Sequence, residues 1–190
     1  SGIAGLSYAL KVADQGSVLL VTKRQVDFTA TRLAQGGIAA VSNENGDFTS
    51  HIEDTMVAGA DLSNLDIVKL SIGMGPKVIE DLINWGVEFS RNKQNEYDLT
   101  REGGHSQRRI FHAKDATGRE IERALVAAVM KHPSIQVLEN HIAIDLITEA
   151  KNQRQQSEEN RCLGAYVLDI DAQEVITIGA HFTVLATGGA

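Results

Sequence analysis

Ser1-Gly2-Ile3-Ala4-Gly5-Leu6 opens the chain, and Gly16-Ser17-Val18-Leu19-Leu20-Val21-Thr22 follows a short way on. Gly2 and Gly5 have the spacing of the second half of a G-x-G-x-x-G turn. In such a turn one glycine lets backbone approach a pyrophosphate and the next lets helix and strand pack closely. Between the two stretches Ile3, Leu6, Leu10 and Ala13 share one helical face, which predicts a helix over residues 2–15. Gly16 is placed to end it as a C-cap. Ser17 to Thr22, with Val18, Leu19, Leu20 and Val21, is a short continuous apolar run, the mark of a parallel strand buried on both faces. Turn, helix and parallel strand in that order read as the start of a dinucleotide-binding α/β fold, with helix N–H groups free for phosphates. A glycine-capped helix with no ligand has the same local sequence.

Working outward, residues 23–34 are polar and irregular and predict a loop. Thr49 to Ala60 predicts a helix. Ser63 with Asp66 resembles a capping box for a longer helix to Trp85, closed by Gly86. Residues 90–115 form a long polar loop, rich in Gly, Arg and His, of the kind that is usually functional. Thr117 and Glu120 fit a second capping box, opening a helix to Lys131 that Pro133 stops. From Ile135 the pattern becomes β: Ile135 to Glu139, Ala143 to Thr148, Leu163 to Ile170, Glu174 to Ile178 and His181 to Ala186. Lys151 to Asn160 is a charged, Gln-rich turn and the best candidate for a mobile loop. The expected fold class is α/β: a Rossmann-like domain with a parallel sheet and a small antiparallel β-meander feeding a last parallel strand. No strand precedes Ser1 and the chain stops just after a strand at Ala190, so the domain is expected to be truncated at both ends.

The 190 residues carry 43% apolar side chains, enough for one sizeable core, and a net charge of −7. With no basic stripe, nucleic acid is not an expected partner. No run approaches the roughly 20 apolar residues of a membrane helix, so no membrane association is expected. Cys162 stands alone, which excludes an internal disulfide and fits a reducing, cytoplasmic compartment.

The dinucleotide rule asks for an acidic residue at the end of the second strand, where it would bind ribose. Lys23 stands there instead, against an ordinary NAD site. Thr29-Ala30-Thr31-Arg32-Leu33-Ala34-Gln35-Gly36-Gly37 offers hydroxyls and amides of the sort an isoalloxazine ring requires at its polar edge, though a glycine hinge before a strand would look alike. Glu102 lies among Arg101, His105, Arg108, Arg109 and His112. It is either one member of a solvated charge cluster or a carboxylate aimed at a substrate ammonium. No metal site is expected, because the histidines lack helical ligand spacing. The absence of G-x-S-x-G disfavours an α/β-hydrolase.

Five segments together resemble the L-aspartate oxidases, a branch of the succinate dehydrogenase and fumarate reductase flavoprotein family. They are Ser1 to Gly5, Ala34 to Ala40, Thr100 to Ser106, Asp115 to Glu120 and Ala186 to Ala190. The resemblance runs the whole length and covers about the first third of such an enzyme. It implies that residues 1–190 are part of an FAD-binding domain whose first strand, capping domain and C-terminal helical domain lie outside the chain. It implies non-covalent FAD. Ser1, Gly2, Ile3, Ala4 and Gly5 would form the pyrophosphate turn, and Lys23 matches the family's own residue. Ala30, Thr31, Arg32, Leu33, Ala34, Gln35, Gly36 and Gly37 would wrap the flavin. Ile142 and Ala143 would make backbone contacts near the adenine. Ala30 stands where the dehydrogenase relatives carry their flavin-linking histidine.

Glu102 separates the branches, since aspartate oxidases have Glu at this place and the dicarboxylate relatives have Gln. The implied reaction is oxidation of L-aspartate to iminoaspartate, the first step of de novo NAD synthesis. Hydride would pass from substrate C2 to flavin N5, with reoxidation by O2 or fumarate. The implied catalytic Arg and His residues lie beyond Ala190, and the next enzyme of quinolinate synthesis is an implied partner. Two alternatives stay open: a flavoprotein acting on succinate or fumarate, and an inactive FAD-binding fragment.

Overall fold

Ile3–Val12 forms α1, and its buried stripe is Gly5, Leu6 and Ala9, continued by Ala13 just past its end. That is the expected face rotated slightly, with Ile3 and Leu10 at its edges. Leu6 is fully buried, which contributes about 2 kcal/mol. The cap differs from expectation: Ala13 ends the helix in a right-handed conformation, so Gly16 lies beyond the C-cap. β1 (Val18–Val21) follows. In this computed structural model the described residues are 1–42, 46–114, 116–153 and 160–189. They fall into two compact units, Ser1–Ala30 with Val126–Ala190, and Thr31–Leu125.

In the first unit β1 runs parallel to β4 (Ile135–Leu138), with Val18 opposite Ile135 and Val21 opposite Leu138. β1 is not buried on both faces as its composition predicts. Leu19 is exposed, and β4 is the one strand paired with β1 among the described residues. β5 (His141–Thr148), β6 (Cys162–Asp169) and β7 (Glu174–Gly179) make the antiparallel meander in the order β5-β6-β7. Asp169 shapes the β6–β7 turn by accepting from the amides of Asp171 and Ala172 at 3.0 Å each. The short helix α6 (Glu149–Gln153) follows β5. The mobile loop expected over Lys151 to Asn160 lies mostly outside the described residues. His181 to Ala186 is not a strand: Phe182 and Leu185 are exposed, and no neighbouring strand pairs with this segment among the described residues.

The second unit contains more order than its polar sequence announces. α2 (Ala30–Leu33) is a single helical turn inside the predicted loop. β2 (Ile38–Ala39) pairs antiparallel with β3 (Ile110–Phe111), which lies inside the predicted long loop. α3 (Phe48–Ala58) begins at the N-cap Asp47, which accepts from the amide of Ser50 at 3.0 Å. α4 (Leu65–Asn84) is capped by Asn64 rather than Ser63. The Asn64 side-chain oxygen accepts directly from the amides of Asp66 and Ile67. Pro76 removes one of α4's internal hydrogen bonds without ending the helix.

α5 (Thr117–Lys131) lacks the expected capping box. Thr117 instead accepts from the amide of Ala113 at 3.0 Å. Glu120 is drawn away by Arg123 (2.6 Å) and by the amide of Glu88 (2.9 Å), and these partners hold its carboxyl below the usual range. Phe89, Phe111 and Tyr97 stack edge to face within the same unit.

Candidate functional site

In the first unit the site residues gather at the carboxyl end of the parallel pair. Gly2 is the N-cap of α1 and offers the first turn no side-chain acceptor, which leaves that turn suited to an external anion. Ser1 and Thr22 share a hydroxyl–hydroxyl bond of 2.9 Å, tying the turn to the end of β1. Thr22 is the hub here: its amide donates to Leu138 at the end of β4, and its carbonyl accepts from His141 at the start of β5. Ile142 and Ala143 follow directly, in register with Leu168 and Val167. Ser1 to Gly5, Ile142 and Ala143 are therefore brought into one neighbourhood through Thr22. Sequence reasoning passed over Thr22 in favour of Lys23, which is exposed. An acidic group does stand close to the end of β1, but it comes from the neighbouring strand: Glu139, just after β4, accepts from the amide of Val26 at 2.6 Å.

In the second unit residues 31–37 are held at both ends by backbone contacts. Gly118 presses against the carbonyls of Thr31 and Ala34, so any Cβ there would strike them, and its amide donates to Ala34 at 3.0 Å. A Cβ on Gly37 would collide with Ile110 and the carbonyl of Phe111. Gly36 has open space around it. The Gly-Gly pair thus has two separate reasons: Gly37 fits the protein and Gly36 leaves room beside it. Between these anchors Leu33 is 77% exposed, an apolar side chain offered outward. Within the first unit a glycine N-cap fits the approach of a pyrophosphate, and within the second an anchored loop with an apolar flank fits a flat ring such as that of FAD.

Glu102 is exposed and has no hydrogen-bond or ion-pair partner for its side chain among the described residues. Three of the cations near it in sequence, Arg108, Arg109 and His112, are engaged elsewhere. Arg108 and His112 both approach Asp98, at 3.8 and 3.9 Å. Arg109 is buried and donates to Asp54 at 2.6 Å and to Ser50 at 2.7 Å. Arg101, beside Glu102 in sequence, is exposed as Glu102 is.

This Asp54–Arg109 centre was not legible as a site. Asp54 also accepts from the amide and hydroxyl of Ser106 at 2.7 and 2.8 Å, and Arg109 lies 3.3 Å from His105. The Ser106 amide and the Arg109 guanidinium hold the Asp54 carboxyl down at about 2. Burial, and then the charge of Arg109, lower the neighbouring His51. One signal in the sequence could have found the centre: Asp47, Ser50 and Asp54 follow helical spacing on one face of α3.

Comparison with known proteins places this geometry. L-aspartate oxidase 2-a, chloroplastic, of Nicotiana tabacum is 45% identical over 190 residues, covering all of this chain and 29% of that protein. L-aspartate oxidase of Pseudomonas aeruginosa is 44% identical over 197 residues, again covering the whole chain and 36% of the relative. The chain thus spans about a third of the length of these relatives. Among solved structures, a variant of E. coli quinol fumarate reductase FrdA superposes with a TM-score of 0.88 at 27% identity, covering 100% of this chain and 31% of that one. A quinol-fumarate reductase with menaquinol molecules gives 0.81 at 25%, covering 94% and 30%. The α/β architecture is that of this flavoprotein group. The family model for the FAD binding domain matches residues 1–190: the chain belongs to that family, and its cofactor is FAD.

Proposed function

We infer that the chain is the FAD-binding part of an L-aspartate oxidase, a flavoprotein oxidoreductase that converts L-aspartate to iminoaspartate at the head of NAD synthesis. The observation that carries the reading is Glu102, an exposed carboxylate without a protein partner in the Thr100 to Ser106 segment. A carboxylate there complements a substrate ammonium with a charge-assisted hydrogen bond. It has no counterpart to meet on succinate. The 44–45% identity to proteins named L-aspartate oxidase supports the same reading.

In this proposal the residues of the domain divide the work. The first turn of α1, from Ser1 to Gly5, receives the pyrophosphate with its amides. Lys23 serves the cofactor's adenosine half, and the backbone of Ile142 and Ala143 meets it near the adenine. Ala30 to Gly37 cover the ring, and Ala30 offers no nucleophile for a covalent link, so FAD is held non-covalently. FAD when bound supplies the two-electron acceptor for the substrate's C2 hydride. Glu102 orients the substrate by its ammonium, so that C2 is presented in one pose.

O2 or fumarate is the proposed second substrate. We place the remaining catalytic groups and the further domains outside this chain, the enzyme in the cytoplasm, and the next enzyme of quinolinate synthesis as its partner. The test is turnover of L-aspartate against succinate by the full-length protein. Faster aspartate oxidation is expected. Preferential oxidation of succinate would favour the second reading, a dicarboxylate flavoprotein, for which the fumarate reductase likeness argues. The isolated 190 residues are expected to show no aspartate oxidation.

A further inference from the structure

We propose that Asp54 is a positioning residue that fixes the pose of Glu102, acting through the backbone of the turn that carries it. The inference rests on Glu102 facing the substrate amine. It deepens that reading by naming what holds the carboxylate in place.

The turn has two supports. One is a local bridge at its base. Thr100 donates to Ile110 at 3.0 Å and accepts from Arg109 and Ile110 at 3.1 Å each. The other comes from α3, some fifty residues upstream. Asp54 there gathers the Ser106 amide (2.7 Å), the Ser106 hydroxyl (2.8 Å) and the Arg109 guanidinium (2.6 Å). Asp47 and Ser50, on the same face, take Gln107 at 2.9 Å and Arg109 at 2.7 Å. One turn further along α3, Ala58 lies 3.7 Å from where a Cβ on Gly104 would be, so Gly104 rests against the helix with φ of +81°. Glu102, Gly103 and Gly104 thus span the interval between the base bridge and the α3 clamp. The amide of His105 closes the turn onto the Glu102 carbonyl at 3.3 Å.

A glycine pair has little stiffness of its own. Without the clamp, the segment would keep its base and lose its far anchor. Asp54 is the central acceptor, because it alone binds both the turn's backbone and the buried arginine. Its ionised state matters: a neutral amide in its place would accept fewer of these bonds and would present donors to donors.

The experiment is a double-mutant cycle in the full-length, FAD-saturated protein, with L-aspartate as the varied substrate. Asp54→Asn is expected to raise KM about tenfold with kcat within about threefold, as when a contact made alike in the ground and transition states, here that of Glu102 with the ammonium, is weakened. In a Glu102→Gln background the same change should raise KM by no more than about twofold, because the group it positions is gone. Amide hydrogen exchange should quicken across residues 102–106 and stay unaltered in α1. Ser106→Ala removes one bond and keeps the backbone one. It serves the same cycle with a smaller shift if Asp54→Asn does not fold.

An unchanged KM in folded Asp54→Asn, or an equal rise in both backgrounds, would overturn the inference while leaving the Glu102 assignment intact. Unchanged aspartate kinetics in Glu102→Gln alone would overturn that assignment, and this inference with it.

Discussion

The α1 turn and the Glu102 turn are both glycine-bearing and both proposed to face a ligand, yet they are built from different material. The α1 turn is held by backbone: a helix start without a side-chain cap, a strand end at Thr22, and ladder bonds to Leu138 and His141. A hydroxyl pair between Ser1 and Thr22 adds a side-chain tie. The Glu102 turn is held by charge: Asp54, Arg109, Asp47 and their hydroxyl and amide partners. A backbone-built site depends on shape and tolerates changes of side chain. A charge-built site depends on each ionised partner and on pH.

The sharpest way to break the contrast is Arg109→Ala. Removing a buried guanidinium with its bonds to Asp54 and Ser50 should cost about 3 kcal/mol, seen as a lowered melting temperature. FAD binding at the α1 turn should suffer far less than aspartate binding. An equal loss of both would erase the distinction.

Gly118→Ala comes next. Its methyl group meets the carbonyls of Thr31 and Ala34, so the loop must move, at about 1–3 kcal/mol. The expected readout is weaker FAD retention by flavin fluorescence, with aspartate KM little changed at saturating FAD.

Thr22→Val deletes the 2.9 Å bond to Ser1 and should cost about 1 kcal/mol. Loss of FAD binding altogether would mean the α1 turn depends on side chains after all.

The mildest test is acid. Asp54 is ionised down to about 2 in the fold, against an ordinary value of 3.8. Because the folded value is the lower one, its contribution is present above pH 3.8 and fades as pH falls towards 2. Peptic cleavage within residues 99–109 should rise over that window in the parent, and Asp54→Asn should flatten the rise. A parent turn that stays protected at pH 2 would remove Asp54 from its support.

The same contrast explains what the sequence discloses. The order turn, helix, strand at the start of the chain, and the meander from β5 to β7, follow from local periodicity and are legible. Caps were misread where a neighbour competed: Asn64 displaced Ser63, and Arg123 with the Glu88 amide claimed Glu120. His181 to Ala186 has a strand's composition without a strand's partner, because pairing is a property of two segments and composition of one. Glu102 stands out in the sequence by its residue type and setting, and its role is the one proposed above. Its support was not, because Asp54 and Ser106 are joined only by the fold. Thr22 escaped notice for the same reason, its partners being Ser1, Leu138 and His141.

Asp54 grips Ser106 partly through the main chain, and this has a consequence for how related chains can diverge. A peptide N–H is present whatever side chain follows it, proline excepted. Position 106 is therefore free to drift to most residues at modest penalty, whereas position 54 must keep its anion. In descendants of this sequence, variation should accumulate at the tip of the segment and be purged from the distant helix that tethers it.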